Sequence, residues 1–147
     1  MVYADRTAAN AFFATRLHTE AWDDATDAEK DAAIQEATDM IERLNFVGDV
    51  TDTAQTLQFP RNGDTDIPND IKIAEYLIAY QLLDGVEPEQ EMRNLQTNAQ
   101  GYSTVRTTYD RSFVQEWLAA GIPSSEAWKY LKPYLRPITG LRINRVS

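Results

Sequence analysis

The sequence contains no cysteine and only one histidine, His18, among its 147 residues. Without cysteine, neither a disulfide framework nor a thiolate metal site can form. A histidine-based catalytic triad would have to use His18, and no Gly-x-Ser-x-Gly motif surrounds any serine. The six glycines are scattered singly, so the sequence has no phosphate-binding loop. These absences exclude the commonest nucleophilic chemistries, and we expect the protein not to be an enzyme.

Long apolar runs are also missing, because charged residues interrupt every hydrophobic stretch within a few positions. We therefore expect no segment to span a membrane. Acidic residues are plentiful, and pairs such as Asp64 with Asp66 could supply oxygen ligands to a cation. They lack the EF-hand spacing and its terminal glutamate, so we expect neither a metal ion nor a cofactor.

Acidic charge dominates the first part of the chain, whose net charge overall is −9. Residues 1–90 carry a net charge of −13, whereas residues 91–147 carry +4. From Lys129 onward the chain has five basic residues and no acidic one. This asymmetry is typical of an acidic body with a basic tail. A solvated surface with a chance excess of basic residues at one end would give the same counts.

The spacing of apolar residues predicts a mainly α-helical protein, a small bundle of four to five helices with a short β segment or hairpin and an extended C-terminal arm. Thr26-Asp27-Ala28-Glu29 is typical of a capping box. The helix after Pro68 is apolar over much of its circumference, which places it either centrally in the core or in a subunit interface. The predicted helices run from Thr7 to about Leu17, from Thr26 to about Asn45, from Ile67 to Gly85, from Ser112 to Ala120, and from Ser124 or Ser125 to about Leu135.

The non-helical predictions concern three segments. Residues 47–67 form a long polar connection, and residues 86–101 are either a frayed helix or a mobile loop. Residues 102–109 are rich in β-branched and aromatic side chains and predict a strand, which must pair with residues 57–59 or with another chain. Residues 141–146 alternate apolar with basic or polar residues, so the domain of residues 1–135 is expected to end in an extended basic arm, residues 136–147.

One segment interleaves aromatic and cationic residues in a way that suits single-stranded nucleic acid. Its members are Tyr102, Arg106, Tyr109 and Arg111. The acidic balance of residues 1–90 argues against tight nonspecific binding, because such binding depends on neutralising phosphates. Binding of single-stranded DNA, or a role as a replication accessory protein, is therefore kept as the alternative function.

The order of several motifs resembles a known family. The most specific pieces are Phe59-Pro60-Arg61 and Ile67-Pro68-Asn69-Asp70-Ile71, preceded by Trp22 and by Ile41-Glu42-Arg43-Leu44 and followed by a Pro-containing C-terminal segment. This pattern is similar to the small head–tail connector proteins of tailed phages, also called adaptor or head-completion proteins. Some relatives of these proteins carry the label DnaT-like single-stranded DNA-binding.

The resemblance implies a structural subunit that forms a ring, usually of twelve copies, beneath the portal protein in the neck of the virion. The ring would continue the DNA channel without binding DNA specifically, and would offer a docking surface to a tail or nozzle protein. Such a subunit would be made in the cytoplasm of the host bacterium and would have no membrane partner.

Two sets of residues are candidates for partner binding in such a subunit. The arm would contact the portal or a neighbouring subunit through Arg136, Ile138, Leu141, Arg142, Ile143, Arg145 and Val146. The candidates for the subunit interface are Leu57, Phe59, Arg61, Tyr102, Val105 and Tyr109.

Overall fold

The computed structural model describes residues 1–103 and 115–137, without the side chains of residues 96–103. Its helices, in chain order, are α1 (Arg6–Phe13), α2 (Glu20–Asp24), α3 (Asp27–Glu42), α4 (Asn69–Leu83), α5 (Pro88–Ser103), α6 (Glu116–Ala119) and α7 (Ser125–Leu131), followed by a 3-10 turn (Lys132–Tyr134). The part of the chain that the structure describes has no extended strand, and the prediction of a mainly helical fold is confirmed. None of these helices is both long and apolar enough to cross a membrane.

Local sequence signals place α3 and α7 correctly. The Thr26 hydroxyl accepts a hydrogen bond from the Glu29 amide at 3.2 Å, and the Glu29 carboxylate accepts one from the Thr26 amide at 2.7 Å. This is the predicted capping box, which satisfies two amides that the helix itself leaves without partners. Ser124 caps α7 in a similar way, because its Oγ accepts from the Ala127 amide at 3.0 Å.

The structure corrects several predicted boundaries. Helix α1 ends at Phe13, four residues before the predicted end, and α2 forms around Trp22, where a break was expected. Residues 88–103 form one continuous helix, so Tyr102 is the penultimate residue of α5 and does not begin a strand. The rest of the predicted strand, residues 104–109, and the predicted helix start at Ser112 lie outside the described residues.

Helix α4 is the centre of the fold. Its buried residues lie on almost every side of the helix, and both α3 and α7 pack against it. Of the two positions that its broad apolar surface allowed, the central one is therefore observed. The buried residues of α4 are Ile71, Ala74, Glu75, Tyr76, Leu77, Ile78 and Ala79.

One carboxylate, that of Glu75, is completely buried in this core. Its two oxygens accept hydrogen bonds from the backbone amides of Tyr3 and Ala4, each at 3.0 Å, and from the hydroxyl of Thr38 on α3. A buried carboxylate is tolerated only with such donors, because removing it from water is costly. Glu75 therefore fixes the N-terminal segment against α3 and α4.

Burial raises the pKa of Glu75 to about 7, although the hydrogen bonds from Thr38, Tyr3 and Ala4 favour the charged form. In the unfolded chain a glutamate has its ordinary pKa of about 4.3. Between these two values the folded protein holds a proton that the unfolded chain has already released. The contribution of Glu75 to stability is therefore greatest at low pH and is lost as the pH rises through about 7.

We predict that the free energy of unfolding contributed by this site falls as the pH rises from about 5 to about 8. Urea unfolding measured across this range should show a weaker pH dependence for Glu75→Gln than for the wild type, because an amide cannot ionise. Replacing the exposed Glu20 by glutamine should leave the wild-type pH dependence intact. Identical pH profiles for Glu75→Gln and the wild type would contradict the assignment, whatever the overall stability of the variant.

Candidate functional site

The last residues that the structure describes run alongside the segment after α3. The Val47 amide donates to the carbonyl of Tyr134 at 2.9 Å, and the Arg136 amide donates to the carbonyl of Asn45 at 3.0 Å. Phe46 and Leu135 form an isolated antiparallel bridge between these contacts. This junction, residues 45–48 with residues 134–136, holds the last described residues against the helical body.

Arg61 is buried beneath the junction, with 7% of its surface exposed. Its Nε donates to the Val47 carbonyl at 3.1 Å, and its Nη2 donates to the carbonyls of Phe46 and Gly48. Its Nη1 donates to the backbone and side-chain oxygens of Gln58, at 3.3 and 3.2 Å. Within residues 1–95 and 115–137 no carboxylate forms an ion pair with Arg61. The planar guanidinium is thus held by uncharged oxygens, an arrangement that lysine cannot reproduce.

Arg136 binds two of the same carbonyls from the outer side. Its Nε donates to the Phe46 carbonyl at 2.7 Å and its Nη2 to the Gly48 carbonyl at 3.2 Å. Arg136 was expected to be the first residue of the free arm, but it is attached to the body through its backbone and its side chain. The other arm residues, Ile138, Leu141, Arg142, Ile143, Arg145 and Val146, lie outside the described part of the chain.

Local backbone geometry explains how Arg61 reaches this position. Residues 48–62 double back, with the Asn62 amide donating to the Asp49 carbonyl at 2.8 Å and the Thr51 amide donating to the Pro60 carbonyl at 3.1 Å. Gly48 turns the chain with a φ of 82°. A Cβ atom there would lie 1.7 Å from the Asn62 side chain, so glycine is required for this close approach as well as for the positive φ.

Phe59 lies in the interior beside Arg61, with 4% of its surface exposed. Its ring packs against Phe46 at 4.7 Å, Tyr134 at 5.8 Å and Tyr3 at 6.1 Å between centroids. Leu57 is partly buried against the same core. These residues were expected at a subunit interface, but the loop folds back and places Phe59 and Arg61 inside their own subunit. Of the remaining interface candidates, Tyr102 lies in α5, and Val105 and Tyr109 lie outside the described residues.

A polar chain that the sequence did not reveal links this junction to the N-terminus. The Glu42 carboxylate accepts hydrogen bonds from the Tyr3 hydroxyl and from the Gln58 amide, the latter at 2.9 Å. Burial and the neighbouring Glu42 raise the pKa of Tyr3 well above its usual range. Gln58 in turn accepts from Arg61, so Tyr3, Glu42, Gln58 and Arg61 form one continuous set of contacts. Of these four residues, only Arg61 had been predicted as a candidate functional residue.

His18 lines a cavity of about 460 Å³ near Tyr80, Trp117 and Ser124. Because α1 ends at Phe13, His18 does not directly follow a helix, as the predicted helix end at about Leu17 had implied. Its backbone carbonyl accepts from the Tyr80 hydroxyl at 2.8 Å, and the Ser124 hydroxyl is engaged in capping α7. The hydrogen bond at His18 is thus made by its backbone, whereas the Ser124 side chain is used in the helix cap. Among the described residues, no group of three or more acidic or histidine side chains is placed to hold a metal ion.

Several cations of the body are paired with carboxylates. Arg6 lies 3.4 Å from both Asp27 and Asp31. Further pairs join Arg16 to Glu126 at 3.1 Å, Lys132 to Glu116 at 2.9 Å, and Arg93 to Glu89 at 3.9 Å. Exposed pairs of this kind add little stability, but they lower the positive potential available to a phosphate. The helical body is consequently a poor surface for nucleic acid.

We predict that Arg61→Lys destabilises the protein by roughly 2–4 kcal/mol, because lysine cannot satisfy the carbonyls of residues 46–48 and 58 from one buried position. Chemical denaturation should report this as a lower midpoint with an unchanged slope. Arg43→Lys is the matched control, since Arg43 is exposed, and it should change stability by less than about 0.5 kcal/mol. Equal stability of the two variants would be incompatible with the role given to Arg61.

Comparison with known proteins gives one match. No curated protein and no solved structure matches the chain significantly. A family model matches residues 2–146, and its family is described as "Putative DnaT-like ssDNA binding protein". This confirms the DnaT-like part of the resemblance, whereas the connector part stays a prediction. Because the match covers nearly the whole sequence, the chain belongs to this DnaT-like family.

Proposed function

We propose that the protein is a non-catalytic binding protein that contacts single-stranded DNA through its basic C-terminal region. The observation that carries this proposal is membership of a family described as DnaT-like and single-stranded DNA-binding, over residues 2–146. Since this description applies to the family, DNA binding by this chain rests on how well its own residues suit the task.

Charge restricts where DNA could bind. Residues 1–90 have a net charge of −13, and Arg6 and Arg16 of the body are paired with carboxylates. Residues 91–147 have a net charge of +4, of which residues 104–114 and 138–147 contribute +3, with four arginines and one aspartate. The first of these segments also contains Tyr109 between Arg106 and Arg111, which suits base stacking combined with phosphate contact.

We predict that a labelled oligothymidylate binds the full-length protein with an affinity that falls steeply with salt. On single strands each neutralised phosphate contributes about −0.7 to the slope of log K against log salt concentration. Replacing Arg106 and Arg111 together by alanine should therefore make the slope shallower by about 1.4.

The matched control for this experiment replaces Arg6 and Arg16, two cations of the body, by alanine. Because both are paired with carboxylates, this variant should retain the wild-type slope. Fluorescence anisotropy at several salt concentrations measures both variants. Absence of binding at low salt, or an equal loss of slope in the two variants, would refute DNA binding through residues 104–114.

A second candidate is a subunit of a phage head–tail connector ring, in the neck of a virion. The observation that favours it is the attachment of Arg136 to the carbonyls of Phe46 and Gly48, which gives the C-terminal segment a fixed point of departure. A segment presented from a fixed point suits docking on a portal protein. An acidic body suits a channel wall, since it repels DNA that must slide past it. Repetition of one heterologous contact between copies would close the ring.

We predict for this candidate that a chain ending at Pro137 fails to co-sediment with the portal protein of the same phage, whereas the full chain does so. The cut leaves Arg136 and its contacts in place, so the shortened chain should still fold. Equal recovery of both forms with the portal protein would eliminate the arm as its binding segment. A connector subunit should also show no binding of oligothymidylate at low salt, which separates the two candidate functions.

A further inference from the structure

A second cleft, of about 410 Å³, opens between α3, the end of α4, the start of α5 and α6. It lies on a different part of the body from the cavity beside His18. Its lining residues are Glu36, Met40, Arg43, Leu82, Glu87, Pro88, Glu89, Met92, Leu118, Ala119 and Gly121.

The cleft combines an apolar floor with an acidic rim. Met40, Leu82, Met92 and Leu118 are partly exposed, which leaves apolar surface from four elements in contact with water. Three of the four charged lining residues are glutamates, and Arg43 is the fourth. An apolar floor favours aliphatic side chains, and the carboxylates favour cations while repelling phosphate. Nucleic acid is therefore a poor occupant, and a basic segment with aliphatic residues is a good one.

The chain contains a segment of this composition after Pro137. Residues 138–147 include Leu141 and Ile143, together with Arg142 and Arg145, and contain no acidic residue. In an extended chain Leu141 and Ile143 fall on one side and Arg142 on the other. Such a segment could place two aliphatic side chains on an apolar floor with a guanidinium directed toward the rim.

Arg136, which lies two residues before this segment, is attached to the body near a residue that lines the cleft. Arg136 is hydrogen-bonded to the carbonyl of Asn45, and Arg43, two residues before Asn45, lines the cleft. Ten extended residues span up to about 33–36 Å. The segment is thus long enough to reach the cleft of its own chain, and a covalent tether makes that encounter strongly favoured over binding between separate molecules.

We propose that residues 138–147 dock in the cleft of their own chain, with Leu141 and Ile143 on the floor of Met40, Leu82, Met92 and Leu118. Arg142, on the opposite side of the extended segment, faces the carboxylates of Glu36, Glu87 and Glu89. The apolar contacts provide most of the affinity, and the charge pairs select this segment and make its binding sensitive to salt. The docking depends on neither of the two candidate functions.

The test uses full-length protein and a fluorescent peptide with the sequence of residues 138–147. In the double variant Leu141→Asp, Ile143→Asp the chain's own segment is disabled and the cleft becomes free. The peptide should bind this variant, more weakly as salt increases, and should bind the wild type at least about tenfold more weakly because the tethered segment competes. Fluorescence anisotropy measures both affinities.

Two further variants, made in the same Leu141→Asp, Ile143→Asp background, locate the bound peptide. Glu36→Lys with Glu87→Lys reverses two charges of the rim and should abolish peptide binding. Glu20→Lys with Asp24→Lys makes the same change in charge on the exposed surface of α2 and should leave binding intact. Near-ultraviolet circular dichroism verifies that each variant keeps the wild-type fold.

Each of the other outcomes overturns the proposal. If the peptide fails to bind the Leu141→Asp, Ile143→Asp variant, the segment is not a ligand of the cleft. If the wild type binds the peptide equally well, the cleft is not occupied by its own chain. If the rim variant still binds, the peptide uses another surface. If the wild type forms oligomers that the Leu141→Asp, Ile143→Asp variant does not form, the segment docks on a neighbouring copy.

Discussion

The burial of the Glu75 carboxylate is the constraint on which the arrangement of the other segments depends. Removing an ion from water costs several kcal/mol, so hydrogen-bond donors must be brought to it. The amides of Tyr3 and Ala4 fill this need, and they bring the N-terminal segment across the core. That position sets Tyr3 against Glu42, whose carboxylate also accepts from the Gln58 amide. The buried carboxyl group on α4 thus begins a series of contacts that leads through residue 58 to the junction.

The junction shows how a few backbone carbonyls can organise two distant parts of the sequence. The carbonyls of Phe46 and Gly48 accept from Arg61 on the inner side and from Arg136 on the outer side. Two cations share these acceptors because a carbonyl oxygen has two lone pairs. As a result, Arg136, which lies two residues before the basic C-terminal segment, is held at one defined place on the body.

Both candidate functions rely on the same division of charge between the helical body and the C-terminal part of the chain. The body is acidic, and Arg6, Arg16, Arg93 and Lys132 are paired with carboxylates on it. Surplus positive charge belongs to residues 104–114 and 138–147. If these segments contact the partner, whether a DNA strand or a portal protein, the role of the helical body is to hold the segments in position. The acidic rim of the cleft offers the C-terminal segment a partner within its own chain.

The sequence by itself determined the helical class, the capping box at Thr26 and the cap at Ser124, because these depend on residues a few positions apart. It also predicted the broad apolar surface of α4. Only the tertiary structure decided that Phe59 and Arg61 lie inside the subunit, that Arg136 belongs to the body and that Glu75 is buried. Each of these depends on groups 13 to 90 residues away, such as the Gly48 carbonyl for Arg61 and the Phe46 carbonyl for Arg136. The local spacing of apolar residues indicates which side of a helix is apolar. It does not specify which distant amide or carbonyl will form a hydrogen bond with a given side chain.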